Sequence, residues 1–228
     1  MIKKIFHILV LFCTTAGFSQ AITVDTNTYT VPQLVSEILI NSPCLQTTNI
    51  SWSTGSNFGS SNGIGYFEST NPNFPIQKGV ILSTGNVSDA AGPNTTIQNG
   101  GNASWPGDTD LENTMAAAGM PMISTNATTL EFDFIPISTN FSFDFLFASE
   151  EYGNSQCNYS DAFAYLLTNT VTGVTTNLAV VPSTNTPISV FTVRDSAYLG
   201  LCTSNNSQYF DNYYGGALAS QAATNFNG

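Results

Sequence analysis

Residues 129–147, TLEFDFIPISTNFSFDFLF, form two runs in which apolar and polar side chains alternate, separated by the short segment 136–139. A period of two is typical of a strand that buries one face. The side chains expected on the buried face are Leu130, Phe132, Phe134, Phe141, Phe143, Phe145 and Phe147. Because residues 136–139 contain turn-forming types, the stretch predicts an antiparallel β-hairpin with one face in a core.

Similar runs continue along the chain and are separated by segments rich in Gly, Pro, Asn and Ser. Further strands are predicted at residues 79–83, 162–168, 177–181 and 188–193. Residues 84–109 lack periodicity and predict a long loop that is either functional or mobile. Together these patterns predict an all-β domain over residues 22–228, an antiparallel β-sandwich of jelly-roll type with long loops.

Two short helices are expected to pack on the sheets. Thr30 and Gln33 have the spacing of a capping box, and an apolar stripe follows over residues 31–39. Asp110 is predicted to cap a second helix over residues 111–118.

The N-terminus has the pattern of a secretory signal peptide. Lys3 and Lys4 precede an apolar run at residues 5–12, and Ser19-Gln20-Ala21 offers small residues for cleavage before Ile22. Residues 1–21 are therefore predicted to be removed, and the mature chain to be exported without a transmembrane helix.

The charge balance restricts the partners. The chain has four basic and fifteen acidic residues, and cleavage would leave Lys78 and Arg194 as its only basic residues. This balance argues against nucleic acids and anionic membranes as partners, because both require clustered positive charge. The excess of carboxylates is compatible with cation binding, or with solubility alone.

Catalysis has few candidate groups. The only histidine, His7, lies within the predicted signal peptide, which excludes Ser-His-Asp and Cys-His arrangements and histidine-dependent zinc sites from the mature chain. Glu150 and Glu151 could serve as a carboxylate pair, but neighbouring residues of a regular strand point to opposite faces. The sequence favours a protein that is not an enzyme, with a glycoside hydrolase using Glu150 or Glu151 as a minor alternative.

Calcium is the sharper hypothesis for the acidic residues, since it binds carboxylate, amide and carbonyl oxygens gathered from loops. The candidate ligands are Glu150, Glu151 and Asp161 around the Asn- and Ser-rich loop 153–160, and Asp108 and Asp110, with Glu112 nearby. The alternative is that both are ordinary solvated acidic loops.

Three cysteines follow the predicted cleavage site: Cys44, Cys157 and Cys202. In an oxidising compartment two of them should pair. Cys157 with Cys202 is the favoured disulfide, and the other two pairings would use Cys44.

The aromatic residues near the C-terminus allow two interpretations. Tyr209, Phe210, Tyr213 and Tyr214 could form a platform on which sugar rings stack, or they could belong to ordinary packing.

Several motifs also resemble one family, the choice-of-anchor L domain. They are the run FDFIPISTNFSFDFLFASEEY at 132–152, DAFAYLL at 161–167, GDTDLENTM at 107–115, VPSTNTPISV at 181–190, and Cys202 followed by NNSQYFDNYYGG at 205–216. The motifs occur in the family's order over most of residues 30–228. One departure is Ser160, which stands where the family often has Asn before the aspartate.

The resemblance implies an exported, adhesin-like module of the bacterial cell surface, as in gliding bacteria of the Bacteroidetes type. Its partner would be an extracellular ligand, a surface glycan or a protein. The alternatives are a carbohydrate-binding module and a purely structural stalk domain. The family pattern continues with further strands, so the gene product is expected to extend past Gly228 and to carry its anchor there.

Overall fold

A computed structural model describes residues 21–228, except for residues 43, 56–61, 103, 139 and 199–200. Apart from Ala21, the predicted signal peptide lies outside the described residues.

Short antiparallel strands dominate the fold. They are β1 (Ile22–Asp25), β2 (Thr47–Ser53), β3 (Ile64–Ser69), β4 (Lys78–Leu82), β5 (Thr129–Phe134), β6 (Ala162–Phe163), β7 (Leu166–Asn169), β8 (Val174–Asn177) and β9 (Ile188–Ser189). A three-stranded sheet has the order β1-β3-β4, and the other strands pair as β2-β5, β6-β9 and β7-β8. The predicted all-β class is confirmed at this level, while a jelly-roll sandwich remains a prediction.

The predicted hairpin is wrong. Strand β5 pairs with β2, with Thr47 opposite Phe134 and Ser53 opposite Thr129, and residues 141–147 join no sheet. Side chains of β2 favour this pairing, because the Asn49 amide donates a hydrogen bond of 2.6 Å to the Asp133 carboxylate. The chain bends after Pro136, and Phe141 of the second aromatic run packs on Phe134 of β5, with ring centroids 5.6 Å apart.

The second run, residues 141–148, is named here the Phe-rich segment. Its aromatic side chains pack on one another and on the chain around β6. The ring centroids of Phe143 and Tyr165 are 3.9 Å apart, and those of Phe145 and Phe163 are 5.4 Å apart. The predicted buried face is therefore found only in part, because Phe143 and Phe147 are half-buried while Phe141 and Phe145 are exposed, and the predicted strand pairing is not found.

The bounds of the other predicted strands agree with the structure to different degrees. Residues 79–83 correspond to β4, and residues 162–168 are divided between β6 and β7. Strand β8 ends at Asn177, where the predicted 177–181 would begin. Strand β9 covers only the start of 188–193, because the backbone then turns and the Val193 N–H donates to the Ser189 carbonyl.

The first helix forms as predicted. Helix α1 (Val31–Gln33) continues as a π-helical stretch, Leu34–Leu39. The Thr30 hydroxyl accepts a hydrogen bond from the Gln33 N–H, and the Gln33 side chain accepts one from the Thr30 N–H, so the capping box is confirmed. The apolar stripe of the helix packs on the three-stranded sheet. This core cluster contains Val31, Leu34 and Ile64, with Tyr29, Ile38, Tyr66, Val80 and Leu130 packed against it.

Helix α2 (Thr109–Ala117) begins earlier than predicted, and its cap is Asp108 rather than Asp110. Asp108 has an extended backbone, so its carboxylate can accept a hydrogen bond of 2.8 Å from the Leu111 N–H. Asp110 already lies within the first turn and cannot cap it.

The predicted long loop 84–109 is anchored at several points. It contains a 3₁₀ turn, Val87–Ala90, and the fully buried Trp105. The Trp105 indole N–H donates to the Ala127 carbonyl at 2.8 Å. A buried aromatic side chain and its bond are strong reasons for the loop to adopt a single conformation.

A second core cluster lies in the C-terminal half. It contains Ala179, Val181, Ile188 and Val193, with Phe147, Phe163, Tyr165 and Phe210 packed against it. The turn that follows the Phe-rich segment lies against this cluster.

Candidate functional site

Ser149, at the end of the Phe-rich segment, connects the acidic groups of the region. It is almost completely buried. Its hydroxyl donates a hydrogen bond of 2.6 Å to the Asp161 carboxylate and accepts one of 3.1 Å from the Glu151 N–H. Its own N–H donates to the Gly228 carbonyl at 2.8 Å. Sequence reasoning missed this residue, since a serine before two glutamates carries no distinctive signal.

Glu150 is the least satisfied polar side chain of the region. Its Oε2 atom is buried and has no hydrogen-bond partner among the residues that the structure describes. Burial raises the pKa of the Glu150 carboxyl to about 7, although backbone N–H groups of Gln98 and Asn227 donate to it and oppose the shift. Near neutral pH, Glu150 is therefore divided between its protonated and ionised forms.

Two further acids share this environment. Burial raises the pKa of Asp161, opposed by the Ser149 hydroxyl. Burial also raises the pKa of Glu151, with a smaller contribution from the negative charge of Asp161 and an opposing hydrogen bond from Ser155. All three carboxyls hold protons more tightly than solvated ones do, because burial disfavours their charged forms.

Residues 224–228, named here the closing segment, form hydrogen bonds with Ser149 and Glu150. The Asn227 amide donates a hydrogen bond of 2.7 Å to the Glu150 carbonyl, and its Oδ1 accepts one of 3.0 Å from the Asn94 amide. The Asn225 Oδ1 accepts bonds from the backbone N–H groups of Thr95 and Thr96. The closing segment thus ties the loop at 94–98 to the turn at Glu150.

Side-chain hydrogen bonds also hold the turn that contains Glu150. The Tyr152 hydroxyl donates to the Val193 carbonyl at 2.9 Å, and the fully buried Gln156 side chain donates to the Asp195 carbonyl at 2.9 Å. Gly153 has a φ of +82° and lies against the Tyr213 ring, so a side chain there would be strained and would clash. These contacts hold Tyr152, Gly153 and Gln156 in place beside the acids.

A disulfide links two segments of the same region. Cys157 and Cys202 are bonded, with their Cα atoms 5.6 Å apart, and Cys44 is free and exposed. The favoured pairing is confirmed, and it joins the turn to the loop before the C-terminal aromatic residues.

The acidic residues of the second cluster, Asp108, Asp110 and Glu112, lie at the start of helix α2. Asp108 is the cap of α2, and the Glu112 carboxylate accepts hydrogen bonds from the N–H and hydroxyl of Ser124, which lower the pKa of Glu112. Asp110 is exposed in the first turn. The structure does not bring this cluster to Glu150, Glu151 and Asp161 as a joint set.

Within the described residues, no group of three or more His, Cys, Asp or Glu side chains is placed to hold a metal ion. Of the four C-terminal aromatic residues, only Tyr209 is exposed. Phe210 packs on Tyr152, and Tyr213 packs on Tyr198. The arrangement is a set of half-buried carboxyls held by amides and hydroxyls, with aromatic residues mostly in packing contacts.

Comparison with known proteins gives one match. The family model described as Choice-of-anchor L domain matches residues 23–228. No curated protein and no solved structure matches the chain. In the part of the chain that the structure describes, no helix has the length and apolar character needed to cross a membrane.

Proposed function

Because the chain belongs to the choice-of-anchor L domain family, we propose that it is a non-catalytic module of the cell surface with an adhesin-like binding role. The observation that carries the proposal is the family match over residues 23–228, which implies an exported surface protein. The Cys157–Cys202 disulfide supports export, since disulfides persist in oxidising compartments.

The geometry around Glu150 also supports a binding module over a hydrolase. The three acids are half-buried, and hydrogen bonds tie the region to Ser149, Ser155 and Asn227. A glycoside hydrolase needs two carboxyls that flank an accessible substrate bond. The acids of this protein instead stabilise a turn, and we assign them a structural role.

The test uses cells that produce the full gene product. Proteolysis of intact cells should remove the domain while cytoplasmic markers remain uncut, and deletion of the gene should reduce attachment to a solid surface. Complementation with the wild-type gene and with Glu150→Gln should restore attachment equally. A domain that resists protease until the cells are lysed would contradict surface exposure, and loss of function specific to Glu150→Gln would favour the hydrolase.

Calcium is proposed as a stabiliser of the turn, with Glu150, Glu151 and Asp161 as ligands. The support is the buried Glu150 Oε2, which lacks a partner among the described residues, and the two neighbouring acids. Since the three carboxylates do not gather around a common point, binding would require the 150–161 turn to close around the ion.

A thermal melt decides the calcium proposal. We expect millimolar calcium to raise the Tm of the domain above its value in chelator, and Glu150→Gln to abolish most of that rise. Asp110→Asn, in the second acidic cluster, is the matched control and should leave the calcium effect intact. Identical Tm values with calcium and with chelator would exclude a stabilising site.

A further inference from the structure

Arg194, the only arginine of the chain, bonds to both segments that the Cys157–Cys202 disulfide joins. Its Nη1 atom donates a hydrogen bond of 3.1 Å to the carbonyl of Gln156, the residue before Cys157. Its Nε atom donates one of 3.0 Å to the carbonyl of Thr203, the residue after Cys202. One guanidinium group therefore connects the two chain segments directly beside the two cysteines.

The guanidinium of Arg194 is itself held in place. The backbone N–H and carbonyl of Arg194 exchange hydrogen bonds of 2.9 and 3.0 Å with Asn205, which closes a loop that contains Cys202. The Arg194 Cζ atom also lies 5.6 Å from the centre of the Phe191 ring, a distance typical of a cation–π contact. Because a planar guanidinium presents its N–H donors in a fixed arrangement, it can hold two carbonyls at a set separation.

Two other hydrogen bonds connect the turn that contains Cys157 to the chain around Arg194. The fully buried Gln156 side chain donates to the Asp195 carbonyl at 2.9 Å. The Tyr152 hydroxyl donates to the Val193 carbonyl at 2.9 Å. None of these bonds includes a cysteine side chain, so they can align the two segments while the cysteines are still thiols.

Alignment matters because disulfide geometry is specific. The bond forms only within a narrow range of separation, roughly 4.4–6.8 Å between the two Cα atoms. In this fold the Cα atoms of Cys157 and Cys202 are 5.6 Å apart. Holding two thiols in such an arrangement raises their effective concentration, which favours the intramolecular disulfide over mixed disulfides with a small thiol.

We propose that Arg194 is a positioning residue for the disulfide, and that its guanidinium aligns the Cys157 and Cys202 thiols in the folded chain and favours their oxidation. The oxidant is a small-molecule disulfide. One cysteine thiolate attacks it and expels a thiolate, and the second cysteine thiolate then attacks the mixed disulfide and expels the other. The protein gives up two thiol protons and two electrons, and the reagent leaves as two free thiols. The inference goes beyond the proposed surface function and does not depend on it.

The test measures the redox equilibrium of the full chain in mixtures of reduced and oxidised glutathione. Differential alkylation and mass spectrometry give the ratio of disulfide to dithiol for Cys157 and Cys202, separately from Cys44. Arg194→Gln removes the guanidinium, and its equilibrium constant for oxidation should be at least tenfold smaller than that of the wild type. Arg194→Lys keeps the charge but loses the planar arrangement of donors, so its constant should be at least threefold smaller.

The lysine variant separates geometry from charge. A positive charge near a thiol stabilises the thiolate and therefore favours the reduced form, which is the opposite of the effect of alignment. If charge were the main contribution of Arg194, Arg194→Gln would make the disulfide harder to reduce, and Arg194→Lys would behave as the wild type does. Either result would overturn the inference.

A second measurement separates alignment from a purely structural role. In urea, Arg194→Gln should lower the free energy of unfolding more in the disulfide form than in the dithiol form, because only the disulfide form gains from alignment. Equal losses in the two forms would overturn the inference. Arg194→Lys supplies the same comparison if the glutamine variant does not fold as a dithiol. Thr30→Ala, at the cap of α1, is the control, and should lower the Tm while its redox equilibrium stays within twofold of wild type.

Discussion

The two halves of the molecule are stabilised in different ways. Around the three-stranded sheet, strands β1, β3 and β4 pair in continuous register from Ile22 opposite Ser69 to Ile64 opposite Leu82. Around Glu150 the strands are two to four residues long, and side chains of Asn, Ser, Gln and Tyr supply the hydrogen bonds. A polar composition with little charge can thus build a structured half as well as a solvated surface.

This contrast has an energetic meaning. A strand ladder distributes stability over many backbone bonds, so the loss of one side chain removes mainly its apolar contacts. A turn held by side-chain bonds concentrates stability in a few residues, because deleting one partner leaves buried backbone groups unsatisfied. The following predictions test the contrast, in order of decreasing expected effect.

The disulfide should give the largest effect. Replacing Cys157 and Cys202 together by alanine frees a link across 45 residues, and loop entropy predicts a loss of about 4 kcal/mol in the free energy of unfolding. Urea unfolding measures it. Cys44→Ala, at the free and exposed cysteine, should change stability by less than about 0.5 kcal/mol. An unchanged midpoint in the double variant would show that the turn does not depend on the link.

Replacing Asn225 should give the second-largest loss of stability. Its side chain accepts bonds from the N–H groups of Thr95 and Thr96 and donates to the Asp89 carbonyl and the Thr96 hydroxyl, and the residue is buried. Asn225→Ala should cost about 2–3 kcal/mol, since several buried groups lose their partner. Asn154→Ala, at an exposed residue of the 150–158 turn, is the control. Equal stability of the two variants in urea would contradict the role assigned to the closing segment.

The change in stability with pH that Glu150 causes should be smaller than the effect of replacing Asn225. The pKa of Glu150 is about 7 in the folded protein against an ordinary value of 4.5, so between these values the unfolded chain binds fewer protons than the native one. Stability should therefore fall as the pH rises from about 4.5 to 7, by about 1–2 kcal/mol once partial exposure is allowed for.

Glu150→Gln isolates this contribution. The variant cannot ionise, so the fall in stability between pH 5 and pH 8 should be smaller by that amount than in the wild type. Thermal melts across the pH range give the measurement. Parallel pH curves for the two proteins would show that Glu150 does not titrate in this window.

The capping box should give the smallest effect. Thr30→Ala removes the hydroxyl that accepts the Gln33 N–H and should cost about 1 kcal/mol. Thr30→Ser keeps the oxygen and should recover most of the loss in a urea titration. If serine is no better than alanine, the stability of the helix comes from packing rather than from the cap.

The sequence-based predictions were correct where the structure depends on local rules. The capping box at Thr30 and the strand at Gly79 depend on local rules, and both appear in the structure. The class of fold also follows from periodicity, whereas the predicted buried face does not form in full, since Phe141 and Phe145 are exposed. The partner of β5 could not be predicted, because β2 is mostly polar and exposed, and its pairing depends on residues about 80 positions distant.

The sequence predicted some residues of the candidate site and missed others. Glu150, Glu151 and Asp161 do share one environment, and Cys157 does bond to Cys202. Ser149, Asn225 and Asn227 were missed, because Asn and Ser are so common in this chain that individual ones cannot be distinguished by type. Their importance arises from long-range contacts, which no local pattern encodes.

The closing segment also bears on the order in which the chain can fold. Asn225 bonds to residues 130 and 136 positions earlier, and Asn227 to one 77 positions earlier. The loop at 94–98 and the turn at Glu150 therefore remain incomplete until residues 224–228 have been delivered. Such non-local closure delays folding, and a domain that stays open for longer is better suited to vectorial transport through a narrow translocation channel.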